Sequence, residues 1–111
     1  MQRLRSKHKI ICDTLVLVSA LLVSAPSHGS NPEQGKRLAL TWCAKCHAID
    51  KLSPSPLKIA PPFRELHERY PVDMLQEALA EGLVTGHPTM PEFRFDADQV
   101  GDFIAFLKTL E

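Results

Sequence analysis

Two cysteines and a histidine stand close together in the string C-A-K-C-H, formed by Cys43, Cys46 and His47 at its chemically reactive positions. A Cys-x-x-Cys-His string is the attachment signature of a c-type haem. Two intervening residues place the sulfurs where they can form thioethers with the two vinyl groups of a porphyrin, and the adjacent histidine then offers its imidazole to the iron. The string therefore predicts one haem c, with thioether bonds to Cys43 and Cys46 and His47 as an iron ligand.

Three other kinds of site also use paired cysteines. A disulfide across a two-residue gap closes a small strained loop and gains little loop entropy. A thioredoxin-like redox pair expects a βαβ setting, and no strand pattern surrounds this pair. A zinc site needs two more thiolate or imidazole ligands at set spacing, and the chain has no second cysteine pair. Haem attachment is the favoured interpretation of the four.

Haem iron usually takes a sixth ligand, and Met or His is usual in electron carriers. The candidates are Met74, Met90, His67 and His87. Met90 is favoured because it stands in the string G-H-P-T-M-P, whose two prolines cannot continue a helix and hold the chain extended. His87, in the same string, is the rival ligand and would lower the reduction potential. We expect Met74 to pack in the core and His67 to lie in solvent on a charged helical face.

The first 29 residues differ in composition from the rest of the chain. A basic stretch at 1–9 precedes an apolar stretch at about 10–25 and then small and polar residues, which is the order of a secretory signal. The uninterrupted apolar run is shorter than the ~20 residues that span a bilayer core. We therefore expect a cleavable signal at 1–29, with Cys12 inside it having no role, and a mature domain at 30–111 in the periplasm. An uncleaved segment anchored in the inner membrane is the alternative.

Composition and charge limit the partners. The chain has 111 residues, enough for one domain beyond the signal, and only 6% of them are aromatic. So few aromatic residues make a thin core, which suggests that a haem fills part of the interior. Residues 30–111 hold nine Lys and Arg against twelve Asp and Glu, a net charge of −3. A mildly acidic domain argues against a nucleic-acid partner, because phosphate binding needs a basic face.

The elements around these residues are predicted to be helices and loops, without the alternation of strands. Asn31 can cap a first helix that leads into the cysteine string, with Pro32 at its first position. Asp96 and Gln99 can form a capping box at the start of the last helix. That helix has an apolar stripe at helical spacing, made of Val100, Phe103, Ile104, Leu107 and Leu110. A Ser/Pro-rich loop at 52–62, a short helical stretch at 63–69 and a helix at about 72–81 ending at Gly82 lie between them.

Residues 31–110 resemble the class I c-type cytochromes, particularly the small bacterial proteins with one haem. Besides C-A-K-C-H, the resemblance rests on the strings A-P-P-F and G-H-P-T-M-P-E-F and on the closing helix. It implies an all-α cytochrome c fold, with three to four helices wrapped around one covalently bound haem. It also implies that the first and last helices cross at Gly35, with Phe106 against the first helix.

The resemblance also implies roles for two further residues. Met90 matches the axial methionine, which lies in a loop shortly before the last helix and is often followed by proline. Pro61 matches the proline whose backbone carbonyl accepts the N–H of the iron-ligating histidine, here His47. This chain has Ala60 where glycine is common, so the turn before Pro61 can differ from the family's.

These features predict an electron carrier rather than an enzyme. With two axial ligands the iron has no open position, and electrons would pass through the exposed haem edge to a redox protein: a dehydrogenase, an oxidase or another cytochrome. The protein is expected to be a monomer, acting free or as the electron-accepting subunit of a redox enzyme, with Lys45 and Lys51 as candidates for steering partners. The alternative is a haem peroxidase or gas-binding sensor with a labile Met90, which no paired carboxylates or nucleophile–base pattern supports.

Overall fold

The computed structural model describes residues 29–82 and 89–111. The predicted signal segment lies outside these ranges, apart from Gly29. Within them the fold consists of helices and loops without a strand, so the predicted all-α class is confirmed. The α-helices are α1 (Pro32–Trp42), α2 (Leu66–Arg69), α3 (Leu75–Glu81) and α4 (Ala97–Lys108), and single 3₁₀ turns at Phe63–Glu65 and Val72–Met74 precede α2 and α3. No helix in the described ranges is long and apolar enough to cross a membrane.

Helix α1 begins where its cap was predicted. The Asn31 side chain accepts hydrogen bonds from the backbone N–H groups of Glu33 (3.0 Å) and Gln34 (3.4 Å), and Pro32 occupies the first helical position. The Asn31 side chain satisfies N–H groups that a helix start leaves without partners, and Pro32 has no N–H group that needs one. A third contact was not predicted: the backbone N–H of Asn31 donates to Asp102 Oδ1 at 2.6 Å. This bond ties the start of α1 to α4.

Helix α4 also begins as predicted. Asp96 Oδ1 accepts from the Gln99 backbone N–H (2.8 Å), and Gln99 Oε1 accepts from the Asp96 N–H (3.0 Å), which completes the capping box. The predicted apolar stripe of α4 is buried throughout. It forms the centre of a core that also includes Ala39 of α1 and Leu79 of α3.

Helices α1 and α4 cross at Gly35, as the resemblance implied. A Cβ atom at this position would overlap the backbone carbonyl oxygen of Asp102 and lie 2.7 Å from the Cβ of Phe106. Phe106 is itself buried against the crossing. The two backbones therefore approach to a distance that only a residue without a side chain permits.

One expectation about the third helix is wrong. Met74 was expected in the core, yet 70% of its surface is exposed. The segment starts as a 3₁₀ turn and continues as α3, so Val72, Leu75 and Leu79 share its inner face. Met74 falls between these positions and faces outward, because residues two apart on a helix do not share a face. Gly82 ends α3 with a φ of 115°, a conformation that favours glycine.

Candidate functional site

The helical core opens on one side into a cleft of about 320 Å³. Most of its lining is aliphatic or aromatic, from residues that include Leu57, Ile59, Phe63, Leu79, Phe93 and Phe103. A cleft of this size and character is suited to a large apolar ligand. The residues with chemical function lie on two of its walls.

The first wall carries the cysteine string. After α1 ends, the backbone folds into a tight turn, in which the N–H groups of Cys46 (3.1 Å) and His47 (2.9 Å) both donate to the carbonyl oxygen of Cys43. This turn brings all three side chains into the lining of one cleft. Cys43 and Cys46 form no disulfide, and no group of three His, Cys, Asp or Glu residues that could hold a metal ion occurs in the described ranges. The wall thus presents two sulfurs and one imidazole to the same apolar space.

The thiol of Cys43 is almost fully removed from water. Only 7% of the residue is exposed, and this burial raises the pKa of the Cys43 thiol to about 12. A thiol in such surroundings is neutral at pH 7. Cys43 therefore presents a neutral thiol to the apolar interior of the cleft.

The imidazole of His47 is held in one tautomer. His47 Nδ1 lies 2.8 Å from the carbonyl oxygen of Pro61. Since a carbonyl oxygen only accepts, Nδ1 carries the proton and Nε2 keeps the lone pair. The ring also packs against Phe63, with centroids 5.0 Å apart. A histidine held in this way is oriented and made more basic as a metal ligand.

The Ser/Pro-rich loop is bonded to the cysteine string along its length. Leu57 N–H donates to the Cys46 carbonyl (3.1 Å), Ala48 N–H donates to Ser55 Oγ (3.0 Å), and Phe63 N–H donates to the Ala48 carbonyl (3.0 Å). These bonds place the carbonyl of Pro61 beside His47, even though Ala60 replaces the glycine that is common at this turn.

The start of the same loop has its own hydrogen bonds. Asp50 Oδ1 accepts from the N–H groups of Ser53 (2.6 Å) and Leu52 (2.7 Å), and these bonds lower the pKa of Asp50. Arg64 adds a bond from Nη1 to the carbonyl of Ser53 at 2.7 Å. The loop is therefore ordered without regular secondary structure.

A second wall comes from residues 89–93. Met90 is half-buried and lines the same cleft as His47. Further along, Phe95 N–H donates to the carbonyl of Leu79 at the inner face of α3 (2.9 Å). Of the other candidate sixth ligands, His67 is exposed on α2, Met74 is exposed before α3, and His87 lies outside the described residues.

A family model described as Cytochrome c matches residues 32–111. The chain belongs to the cytochrome c family. This protein therefore carries a covalent haem c, attached through the cysteine pair at Cys43 and Cys46, and acts as an electron carrier rather than as an enzyme. Searches of curated proteins and of solved structures returned no match.

The cleft of this cytochrome c fits the haem. A porphyrin needs an apolar slot, two thiols on one wall and an imidazole with a free lone pair, and the described residues supply all three. In addition, no buried side-chain nitrogen or oxygen in the described ranges lacks a hydrogen-bond partner.

Two polar residues of the cytochrome c cleft were missed from the sequence. Arg69 is the last residue of α2, Tyr70 follows it, and both line the cleft. The stretch 65–69 was expected to be a charged helical face, yet the exposed Arg69 and the half-buried Tyr70 both line the cleft. Their position immediately before Pro71, where a helix must end, is the one signal that sets them apart.

Proposed function

We propose that this cytochrome c is an exported electron carrier whose iron is held by His47 and Met90. The observation that carries the proposal is that His47 and Met90, which are far apart in the sequence, line the same cleft as Cys43 and Cys46. When bound, the haem supplies iron that alternates between the ferric and ferrous states. The residues of the chain determine which of these two states is favoured and which partner proteins can exchange electrons with the haem.

The two axial side chains would act in different ways. His47 keeps its proton on Nδ1 through Pro61, so Nε2 is the donor atom, and the hydrogen bond strengthens that donor. The thioether of Met90 is a soft ligand that favours ferrous over ferric iron, which raises the reduction potential. We therefore expect a positive midpoint potential. Arg69 and Tyr70 would provide hydrogen-bond donors for the carboxylates of the haem.

The spectrum of the purified holo-protein tests the ligation. We expect a c-type spectrum with the charge-transfer band from methionine to ferric iron, and no change when CO is added to the reduced protein. Replacing Met90 by Ala should abolish the band and lower the potential. Replacing the exposed Met74 by Ala is the matched control and should change neither.

The same experiment separates the alternatives. A Met90→Ala variant that keeps the wild-type spectrum would refute Met90 as ligand and make His87 the next residue to replace. A wild-type protein that lacks the band and binds CO readily would favour a gas-binding sensor or peroxidase with a labile methionine.

We further propose export to the periplasm by a cleaved signal at 1–29. N-terminal sequencing of the mature protein tests this, because a chain that still begins at Met1 would refute cleavage. Periplasmic fractionation tests the location, and recovery in the membrane fraction would favour an uncleaved anchor.

The partner is proposed to be a redox protein with an acidic face. Residues 43–64 hold four basic residues against one acid, whereas residues 65–111 hold three against ten. Lys45, Lys51 and Lys58 are exposed in the basic segment, which also lines the cleft through Leu57 and Ile59. Electrons would therefore leave beside the positive part of an otherwise acidic protein.

Such a partner should be attracted electrostatically, and the rate of electron transfer should fall as salt is added. Replacing Lys58 by Glu should slow the reaction with an acidic redox protein at low salt. The same change at Lys36, which is exposed on α1 outside the basic segment, is the control. If the substitutions at Lys58 and Lys36 slow the reaction equally, the net charge of the protein and not the position of Lys58 controls the rate.

A further inference from the structure

Aromatic rings form a continuous series of contacts from one wall of the cleft to the other. The series, which we call the aromatic belt, runs through Trp42, Phe93, Phe95, Phe103, Phe63 and His47. Successive ring centroids lie 6.5, 5.2, 5.5, 5.9 and 5.0 Å apart. The rings of Phe95, Phe103 and Phe63 are buried in the core. The contact between Trp42 and Phe93 lies outside this buried group, in the lining of the cleft.

The stack of Trp42 on Phe93 joins the two walls directly. Trp42 is the last residue of α1 and precedes Cys43, whereas Phe93 follows Met90 by three residues. The two rings are nearly parallel, with an interplanar angle of 27°, and both residues line the cleft. The contact therefore links the wall that carries the sulfurs to the segment that carries Met90.

The contact between Trp42 and Phe93 belongs to the lining of the cleft rather than to the helical core. Trp42 is not a member of the buried core cluster, and Phe93 packs at the edge of that cluster. Both residues line the cleft. The contribution of the pair therefore lies in where it holds the chain beside the cleft.

The backbone between Met90 and Phe93 has little freedom, so the position of Phe93 restricts the position of Met90. Pro91 follows Met90 directly and fixes one of the two backbone dihedrals at its own position while restricting those of Met90. Among the described residues, the first backbone hydrogen bond after Met90 is that from Phe95 N–H to the carbonyl of Leu79, five residues after Met90. The stack is two residues closer to Met90 than that bond, so it limits how far Met90 can withdraw from the cleft.

We propose that Trp42 and Phe93 form a clamp that positions Met90 against the iron. The clamp rests on the proposed ligation by Met90, and its two residues are positioning residues rather than ligands. When the clamp is lost, Met90 spends more time away from the iron, and a small ligand from solution can take its place. Aromatic pairs of this kind shift an equilibrium roughly two- to tenfold.

Imidazole titration of the ferric holo-protein measures this equilibrium, followed through the loss of the methionine-to-iron charge-transfer band. The Trp42→Ala and Phe93→Leu variants should each bind imidazole roughly two to ten times more tightly than wild type. Trp42→Phe keeps a ring in place and should restore most of the wild-type affinity. The double variant should be no more affected than the stronger single variant, since both changes break one contact.

Two controls separate positioning from general loosening. Leu40→Ala removes another half-exposed apolar side chain of α1, with 55% of its surface exposed, and should leave imidazole affinity unchanged. Phe106→Leu destabilises the fold at the crossing of α1 and α4, away from the clamp. If it raises imidazole affinity as much as Trp42→Ala does, the clamp is refuted.

The outcomes also separate this inference from the proposed function. A wild-type protein with the charge-transfer band, whose Trp42 and Phe93 variants bind imidazole like wild type, would refute the clamp and leave the ligation intact. A wild-type protein without the band would refute ligation by Met90, and the clamp with it.

Discussion

Because α1 and α4 approach closely at Gly35, adding a single methyl group at this position should lower the stability of the fold strongly. In a Gly35→Ala variant the added Cβ would lie 2.6 Å from the carbonyl carbon of Asp102, besides overlapping its oxygen. Non-bonded carbons pack at about 3.5–4.0 Å, so the helices would have to separate by roughly 1 Å. The obstacle is backbone, which cannot move aside by changing rotamer.

Two opposing effects set the expected magnitude. Overpacking a core costs about 1–3 kcal/mol, and the backbone contact at Gly35 places this site at the upper end. Alanine recovers about 1 kcal/mol because it is the better helix former. The net loss should be about 2 kcal/mol, which lowers the melting temperature of a domain of this size by about 8–16 °C.

Unfolding of the ferric holo-protein, followed by circular dichroism and by haem absorbance, measures this loss. Gly101→Ala in α4 is the matched control, since its Cβ would meet only the hydroxyl of Ser30 at 3.2 Å, which can rotate away. That variant should be unchanged or up to about 1 kcal/mol more stable. If both variants shift the melting temperature in the same direction by similar amounts, the steric argument for Gly35 fails.

Two further predictions concern the helix ends. Asp96→Ala removes the acceptor for the Gln99 N–H and should destabilise the holo-protein by about 1 kcal/mol in denaturant unfolding; an unchanged midpoint would contradict the role of the capping box. Asp73 accepts a hydrogen bond from Lys108 Nζ at 2.8 Å, which lowers the pKa of Asp73. A carboxylate with a lowered pKa in the folded state stabilises above its unfolded pKa, and this contribution is lost as the pH falls through the folded value. The melting temperature of Asp73→Asn should therefore lie below that of wild type near pH 7 and meet it in acid; a gap that persists in acid would exclude the ion pair as its cause.

Much of the fold was predictable because the signals were local. The caps at Asn31 and Asp96, the stop at Gly82 and the apolar stripe of α4 each depend on hydrogen bonds or spacings within a few residues. The haem string is local for the same reason, since thioether chemistry needs two sulfurs and an imidazole at set spacing. The close approach at Gly35, in contrast, was implied by resemblance to a family.

The structural features that could not be predicted from the sequence depend on contacts between distant segments of the chain. The burial of Asp102 beneath Asn31 and the place of Tyr70 in the lining of the cleft follow from how helices pack. Neighbouring residues do not indicate that Asp102 accepts a hydrogen bond from Asn31, which lies 71 positions away in the sequence.

The sequence by itself determined the cofactor, the helical class and the ends of the outer helices, because each follows from chemistry between neighbours in the chain. Only the tertiary structure decided that Trp42 lies on Phe93 and that His47 and Met90 line one cleft. The members of these two pairs are 51 and 43 residues apart in the sequence, and no local propensity acts over such a distance. They are set by the packing of α1 on α4, which brings the start and the end of the domain together around one site.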